Sequence, residues 1–461
     1  MAKAKKKSPS DDEPGGEETF IHSKRRNNLG NNFLDNIIFN VKKIINKPLK
    51  IAIVTPQYVD KKGLSNKGVA IHVFNLAQEL IKLGCEVHVF TSDNKKSRIN
   101  SFAGGGKLVV HRVNVKLEIS TDDHIIKKNL SRMTFETKAV NAIIREHNKS
   151  PFDLIHSHIT YNGALMAKQL LNVRWVHTIH SIEKVRMKFM SKEERKFTKA
   201  SKWQESVLSC TDGVITVSET LKGLIIENYG LDESKVFVVP NGVDKNIYIK
   251  GDIKKANKIL YIGRFSMEKG IGLLPDIIEG VLSQDEEMIF EIVASLEGNK
   301  LSEDFVIIQK ELENLEEKYP DRLIWHKSDL SREKIAKLYS EALIFIQPSL
   351  YDSFPTTMME AMLFGKLIIG SDVGGIPELL GDAGIIVSPK PLNFIDSILK
   401  LKNDYRLRER YSARAVERVK NFYWDKIAKQ TFELYHLLAK KQIKKNENMG
   451  NVFKNLEEQD E

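Results

Sequence analysis

YDSFPTTMMEAMLFGKLIIGSDVGGIPE, residues 351–378, is the stretch whose reading decides the fold. An acid and a serine, Asp352 and Ser353, lead through a Phe-Pro turn to Thr356 and Thr357, and Met358 to Met362 reads as a helix. Gly365 ends that helix and Leu367-Ile368-Ile369 reads as a short buried strand. Gly374-Gly375 then turns the chain before Ile376, Pro377 and Glu378. Loop, helix, apolar strand and glycine turn, in that order, describe the carboxyl edge of a parallel α/β sheet, where such sheets bind ligands.

Working outward, the same alternation recurs. Apolar runs at 258–263, 288–293, 323–325, 343–346 and 367–369 make one βα series. An earlier series runs through 50–55, 86–91, 108–113, 153–158, 174–180, 213–218 and 236–240, with helices expected over about 69–83 and 128–147. Continuous rather than alternating apolar character is what strands covered on both faces require. Pro240-Asn241-Gly242-Val243-Asp244 is a turn signal between the two series. The expected architecture is α/β: two Rossmann-like, doubly wound domains, 48–245 and 246–421, facing a central cleft. A helix over 422–440, a polar tail over 441–461 and a basic tail with an amphipathic helix over 1–47 complete the division.

A chain of 461 residues is too long for one ordinary core. It holds no apolar run near the ~20 residues a spanning helix needs, and its first residues lack the apolar block of a secretory signal. Two cysteines, Cys85 and Cys210, cannot make a disulfide framework, so a cytoplasmic location is expected. Net charge is +10, from 71 basic and 61 acidic residues, which permits attraction to anionic lipid or phosphorylated ligands. No nucleic-acid-binding motif accompanies that charge, so no nucleic acid is expected as partner. Phe33, Leu34, Ile37, Ile38, Val41, Ile44 and Ile45 fall on one helical face. Such a helix either packs on its own domain or lies in an anionic membrane surface, a peripheral contact through residues 32–46.

Several residues carry chemistry. Gly263-Arg264 ends a strand and Lys269-Gly270 is expected to open the next helix. Two cations five residues apart there suit a diphosphate, helped by the helix N-terminus; otherwise they are solvated surface charges. Glu360 is either a salt-bridged glutamate or an acceptor for paired hydroxyls such as those of a ribose. Asp352, eight positions earlier, stands on a loop where it holds sugar hydroxyls or stabilises positive charge at a sugar carbon. The glycines from Gly63 to Gly68 are not followed by Lys and Ser or Thr, so they form no P-loop. No Asp-x-Asp occurs, so no metal site is expected, and no cofactor beyond the donor substrate.

These residues together resemble the retaining glycosyltransferases of family four, with the GT-B fold. The likeness rests on Gly263-Arg264 with Lys269-Gly270, an acid seven residues before Glu360, Ala361-Met362, and Gly374-Gly375-Ile376-Pro377-Glu378. It rests also on 240–244, Thr216-Val217-Ser218, Asp153 to His158, Thr178-Ile179-His180 and the glycine loop before His72. It spans roughly residues 49 to 440. The resemblance implies that Arg264 and Lys269 neutralise a nucleotide diphosphate, Glu360 binds the ribose and Asp352 the donor sugar. It further implies that the amides of Thr356 and Thr357 hold phosphate, that Gly68 and Gly263 let backbone approach the donor, and that His180 stands near the reacting carbon. His156 and His158 read as strand-end packing and hydrogen bonding rather than as site residues.

The chain departs from the family at Asp352, where Glu is usual, and in having Gly68 without a glycine pair. The helix after Trp424 is implied to return to the first domain. Lys184, Arg186 and Lys188 either face an anionic acceptor or are solvated. The implied reaction moves a sugar from a nucleotide diphosphate sugar to a hydroxyl of a glycan or lipid-linked acceptor, as in polysaccharide synthesis, without metal. Two other classes fit the same fold: a nucleotide-sugar isomerase or epimerase, and a non-catalytic nucleotide-sugar-binding protein at a membrane.

Overall fold

A computed structural model describes residues 48–59, 68–92, 99–115, 124–190, 195, 204–247, 257–296 and 303–439. The amphipathic stripe at 32–46 and the glycine loop at 63–67 lie outside these residues. Residues 47–461 form one compact unit.

Eight strands build the first sheet, in the order β3-β4-β2-β1-β5-β6-β7-β8. They are β1 (Lys50–Val54), β2 (Glu86–Ser92), β3 (Ile99–Ala103), β4 (Gly106–Val113), β5 (Leu154–His158), β6 (Arg174–Ile179), β7 (Gly213–Thr216) and β8 (Val236–Val238). All neighbours pair in parallel except β3 with β4. Six strands build the second, in the order β11-β10-β9-β12-β13-β14 and parallel throughout. They are β9 (Lys258–Ile262), β10 (Ile289–Val293), β11 (Leu323–His326), β12 (Ala342–Gln347), β13 (Leu367–Ser371) and β14 (Ile385–Val387). Their apolar runs are buried, as two-sided coverage by helices demands: Ile51 to Val54 and Ile344 to Ile346 are wholly inaccessible.

Both sheets reverse their winding at one place, between β1 and β5 in the first and between β9 and β12 in the second. A crevice opens outside the carboxyl ends at such a reversal, because the adjoining loops leave in opposite directions. The loops after β9 and β12 are those that carry Arg264, Lys269 and Asp352.

Two strands were not anticipated. β3, sequence INSFA, is short, has its apolar run broken by Asn100 and Ser101, and exists as one arm of an antiparallel hairpin on β4. β14 is three residues long and only half-buried, which leaves almost no pattern to read. One helix start is corrected. Lys269-Gly270 does not open the helix after β9. Two short 3₁₀ turns, Met267–Lys269 and Ile271–Leu273, come first and the α-helix runs Leu274–Leu282. Gly270 breaks the run at φ +76°, where a Cβ would sit 1.9 Å from the Pro348 carbonyl oxygen.

The chain crosses between the lobes twice, and the two passages lie side by side. Val243 N donates to Phe422 O at 2.8 Å, and Val243 bridges Tyr423. A Cβ on Gly242 would meet the Trp424 ring at 2.4 Å, so glycine is needed there. The helix over 424–439 then packs on the first sheet. Tyr435 Oη lies 2.5 Å from His156 Nδ1, and Leu438 stands against Gly213.

Candidate functional site

The loop after β12 is positioned by the glycine pair that closes the opening stretch. Gly375 N donates to Asp352 O at 3.0 Å. Cβ atoms on Gly374 and Gly375 would stand 1.9 Å from Asp352 O and 2.0 Å from Ser353 O. Only a chain without side chains there approaches the acid loop so closely. Leu350 N and Tyr351 N both donate to Glu268 O at 3.0 Å, which ties the same loop to the turn after β9.

That double anchoring brings Lys269 to Asp352, Nζ to Oδ2 at 2.6 Å, with Asp352 buried. Arg264 pairs with Glu268, and its own side chain is 62% exposed, facing solvent. Glu268 is buried and receives Arg186 from the first lobe at 3.2 Å. Burial opposes ionisation of Glu268, yet Arg264 and Arg186 together hold its pKa below the ordinary carboxylate range. Arg186 is therefore an interlobe contact rather than part of a solvated patch; Lys184 and Lys188 are exposed. Gly263 stands 2.6 Å (as a Cβ) from Tyr261 Oη, so it is required by packing. Among the described residues nothing lies within 4 Å of a Cβ on Gly68.

Thr356 and Thr357 begin an α-helix, Thr356–Leu363, without a side-chain cap. Its first amides lack intrahelical acceptors and carry the positive end of the helix dipole. Thr357 Oγ1 donates to Gln347 Oε1 at 3.1 Å, leaving Thr356 exposed at the helix start. Glu360, one turn on, is half-buried and accepts from Arg332 at 2.8 Å. Burial works against the Arg332 charge, but Glu360 holds its pKa above the usual value. Arg332 carried no signal in the sequence, because it is 28 residues from its partner.

Five histidines of the first lobe gather around β5 and β6: His72 on the helix Gly68–Lys82, His156 and His158 on β5, His180 just after β6, and His177 on β6, which meets Ser157 on the opposite face of the sheet from His156 and His158. Burial pushes His180 down to about 4 and His156 to about 3, and lowers His72, His158 and His177 well below the ordinary value. All five imidazoles are thus neutral at pH 7. Asn241, from the interlobe turn, accepts from His72 Nδ1 at 3.2 Å and donates through Nδ2 to Phe354 O of the second lobe at 3.0 Å. Two motifs legible only separately also meet across the lobes. The Glu378 carboxylate accepts from Glu219 N and Thr220 N, both at 2.7 Å, and from Thr220 Oγ1 at 2.5 Å. It thereby closes the N-terminus of the helix Glu219–Tyr229, already capped by Ser218. Phe189 and Tyr351 stack across the same gap at 6.2 Å.

The arrangement offers cations, helix amides and carboxylates around one crevice: a set suited to a diphosphate bearing hydroxylated rings. Comparison with known proteins gives the family. The profile for Glycosyltransferase Family 4 matches residues 66–246, and that for Glycosyl transferases group 1 matches 244–418. A D-inositol 3-phosphate glycosyltransferase of Corynebacterium urealyticum is 24% identical over 394 residues, 80% of this chain and 91% of that protein. An alpha-maltose-1-phosphate synthase of Mycolicibacterium smegmatis is 23% identical over 85% of this chain and all of its own length. Among solved structures, sucrose-phosphate synthase from Thermosynechococcus elongatus superposes with a TM-score of 0.67 at 22% identity, covering 85% of this chain and 99% of that one. This fold of two facing lobes and these paired profiles identify the chain as a glycosyltransferase of family four, with the GT-B fold.

Proposed function

We propose that the crevice performs retaining, metal-independent transfer of a sugar from a nucleotide diphosphate sugar to a hydroxyl of a glycan, glycolipid or polysaccharide acceptor. The observation that carries this reading is the 2.6 Å contact between Lys269 and Asp352, made by loops from the two sides of one winding reversal. Arg264 and Lys269 take the charge of the departing diphosphate, and the Thr356 and Thr357 amides bind its oxygens. Glu268 and Asp352 pair with these cations in the structure. Cations and helix amides supply what a divalent ion otherwise would. Asp352 holds the sugar hydroxyls, Glu360 the ribose, and Arg332 fixes the Glu360 carboxylate. His180, neutral, faces the reacting carbon and the acceptor side. Stabilising the leaving group more in the transition state than in the ground state is what accelerates such a step. The two free thiols, Cys85 buried and Cys210 exposed, fit a reducing cytoplasmic location.

Lys269→Ala and Glu360→Gln should each lower kcat/KM for donor hydrolysis and for transfer by ~10²-fold or more. Added chelator should leave the wild-type rate unchanged, and proton NMR should show the product anomer matching the donor. Wild-type rates in either variant would overturn the assigned roles, and an inverted product would overturn retention.

A further inference from the structure

The histidines of the first lobe divide into two sets. His156 is fully engaged, Nδ1 with Tyr435 Oη at 2.5 Å and Nε2 with Thr178 Oγ1 at 2.7 Å, and His177 Nδ1 meets Ser157 Oγ at 2.7 Å. His72, His158 and His180 instead each offer one ring nitrogen to a cluster in which all three atoms lie within 4.8 Å of one another. His158 Nδ1 and His180 Nε2 are already 3.2 Å apart. Two nitrogens bound to one tetrahedral zinc ion at the usual bond length stand ~3.3 Å apart, so this pair has the spacing of shared ligands.

The surroundings prepare these rings for a cation. Asn241 Nδ2 donates to Phe354 O, so its oxygen is the atom that faces His72. His72 must then donate from Nδ1, which leaves Nε2 with a free lone pair. Fixing one ring nitrogen by an amide oxygen so that the other ligates is the usual outer arrangement around a metal-bound histidine. His158 is wholly buried and presents Nδ1 to the cluster, 3.2 Å from His180 Nε2. His180 is half-buried, the most accessible of the three, with ring centroids 4.7 Å from His72 and 5.5 Å from His158.

We propose that His72, His158 and His180 form a binding site for a transition-metal ion of the zinc class, oriented by Asn241. Three imidazoles select zinc, copper or nickel over magnesium, which requires oxygen ligands. The ion is therefore no carrier of the diphosphate. If the sugar sits beside His180, as proposed above, metal and donor exclude each other; that corollary rests on the proposed function, whereas binding of the metal does not.

Cobalt(II), a spectroscopic substitute for zinc, tests the site in the full chain. One equivalent should bind with the visible d–d absorption of a low-coordinate nitrogen site. His72→Asn, His158→Asn and His180→Asn should each abolish the band. His88→Asn should retain it, although His88, His111 and Glu146 form the other described group with metal-ligand spacing. Thermal melts verify folding, and if either buried variant fails to fold, His180→Asn decides alone. No band, or a band lost only in His88→Asn, overturns the proposal. A band that persists under saturating nucleotide sugar overturns the exclusion and leaves the site standing. Loss of donor turnover in Lys269→Ala is read separately and does not bear on cobalt binding.

Discussion

Mild acid should unfold this protein, and the five neutral histidines set the size of the effect. Each has its folded pKa held down, chiefly by burial, while the unfolded chain titrates near 6.5. For a group lowered on folding, the unfolded state takes up the proton first. The stability is therefore intact above 6.5 and is lost as pH falls from there toward the folded values. Between pH 7 and 5.5 an imidazole that stays neutral in the folded state costs up to about 1.3 kcal/mol, and five cost roughly 6 kcal/mol. Glu205 works in the opposite direction. Burial, and little else, raises it to about 7, so the folded state gains a proton in the same window, returning roughly 1.6 kcal/mol. The net loss, on the order of 5 kcal/mol, is as large as the whole stability of many domains. Urea midpoints of the full chain at pH 7.0, 6.5, 6.0 and 5.5 measure it, with the double substitution His156→Gln, His177→Gln flattening the net curve by about half. Stability at pH 5.5 within 1 kcal/mol of that at pH 7 would refute the reasoning.

Other perturbations follow from the same structure. Glu378→Gln removes a charge from a helix N-terminus and weakens the lobe-to-lobe bonds; it should cost ~1–2 kcal/mol in urea melts and raise KM for donor more than it lowers kcat. Gly374→Ala, at φ +55° and with its new methyl 1.9 Å from Asp352 O, should cost ~3 kcal/mol and displace the acid loop, seen as loss of donor binding in thermal shifts. Lys366 is buried, donates to Ser340 O and Ala342 O at 2.9 Å, and is brought by burial to about 8. Its lowered folded pKa means the folded chain sheds that proton first, so wild type should gain ~2 kcal/mol relative to Lys366→Met between pH 8 and 10. Deleting residues 1–47 should reduce cosedimentation with anionic vesicles, and unchanged binding would leave the stripe at 33–45 without a membrane role.

How much of this was legible in the sequence depended on the range of the interaction. The strands of both sheets, save β3 and β14, announced themselves as short segments rich in apolar residues, unbroken in β1 and β12 and interrupted by histidine in β2, β5 and β6, because both faces are covered. Arg264, Lys269, Asp352 and Glu360 could be singled out because each sits within a few residues of a strand end or glycine turn. What joined them was not legible. Arg332 meets Glu360 from 28 residues away, Lys269 meets Asp352 from 83, and Thr220 meets Glu378 from 158. Glu268 gave no sign of serving both Arg264 and Arg186, since one partner is in the other lobe. The helix expected at Lys269 failed for a similar reason: Gly270 answers to the Pro348 carbonyl, and no local propensity reports that contact.

The helix over 424–439 belongs to the first lobe although it is made last. Tyr435 fills the floor beside His156, and Leu438 seals Gly213. During synthesis the first sheet therefore stays open on that side until the end of the chain has left the ribosome, after the second lobe is complete. The first lobe therefore does not correspond to one uninterrupted coding segment, whereas the second does. A fragment ending near residue 245 would expose the ground on which Tyr435 and Leu438 rest, whereas one tethering 424–439 directly behind residue 245 would restore it.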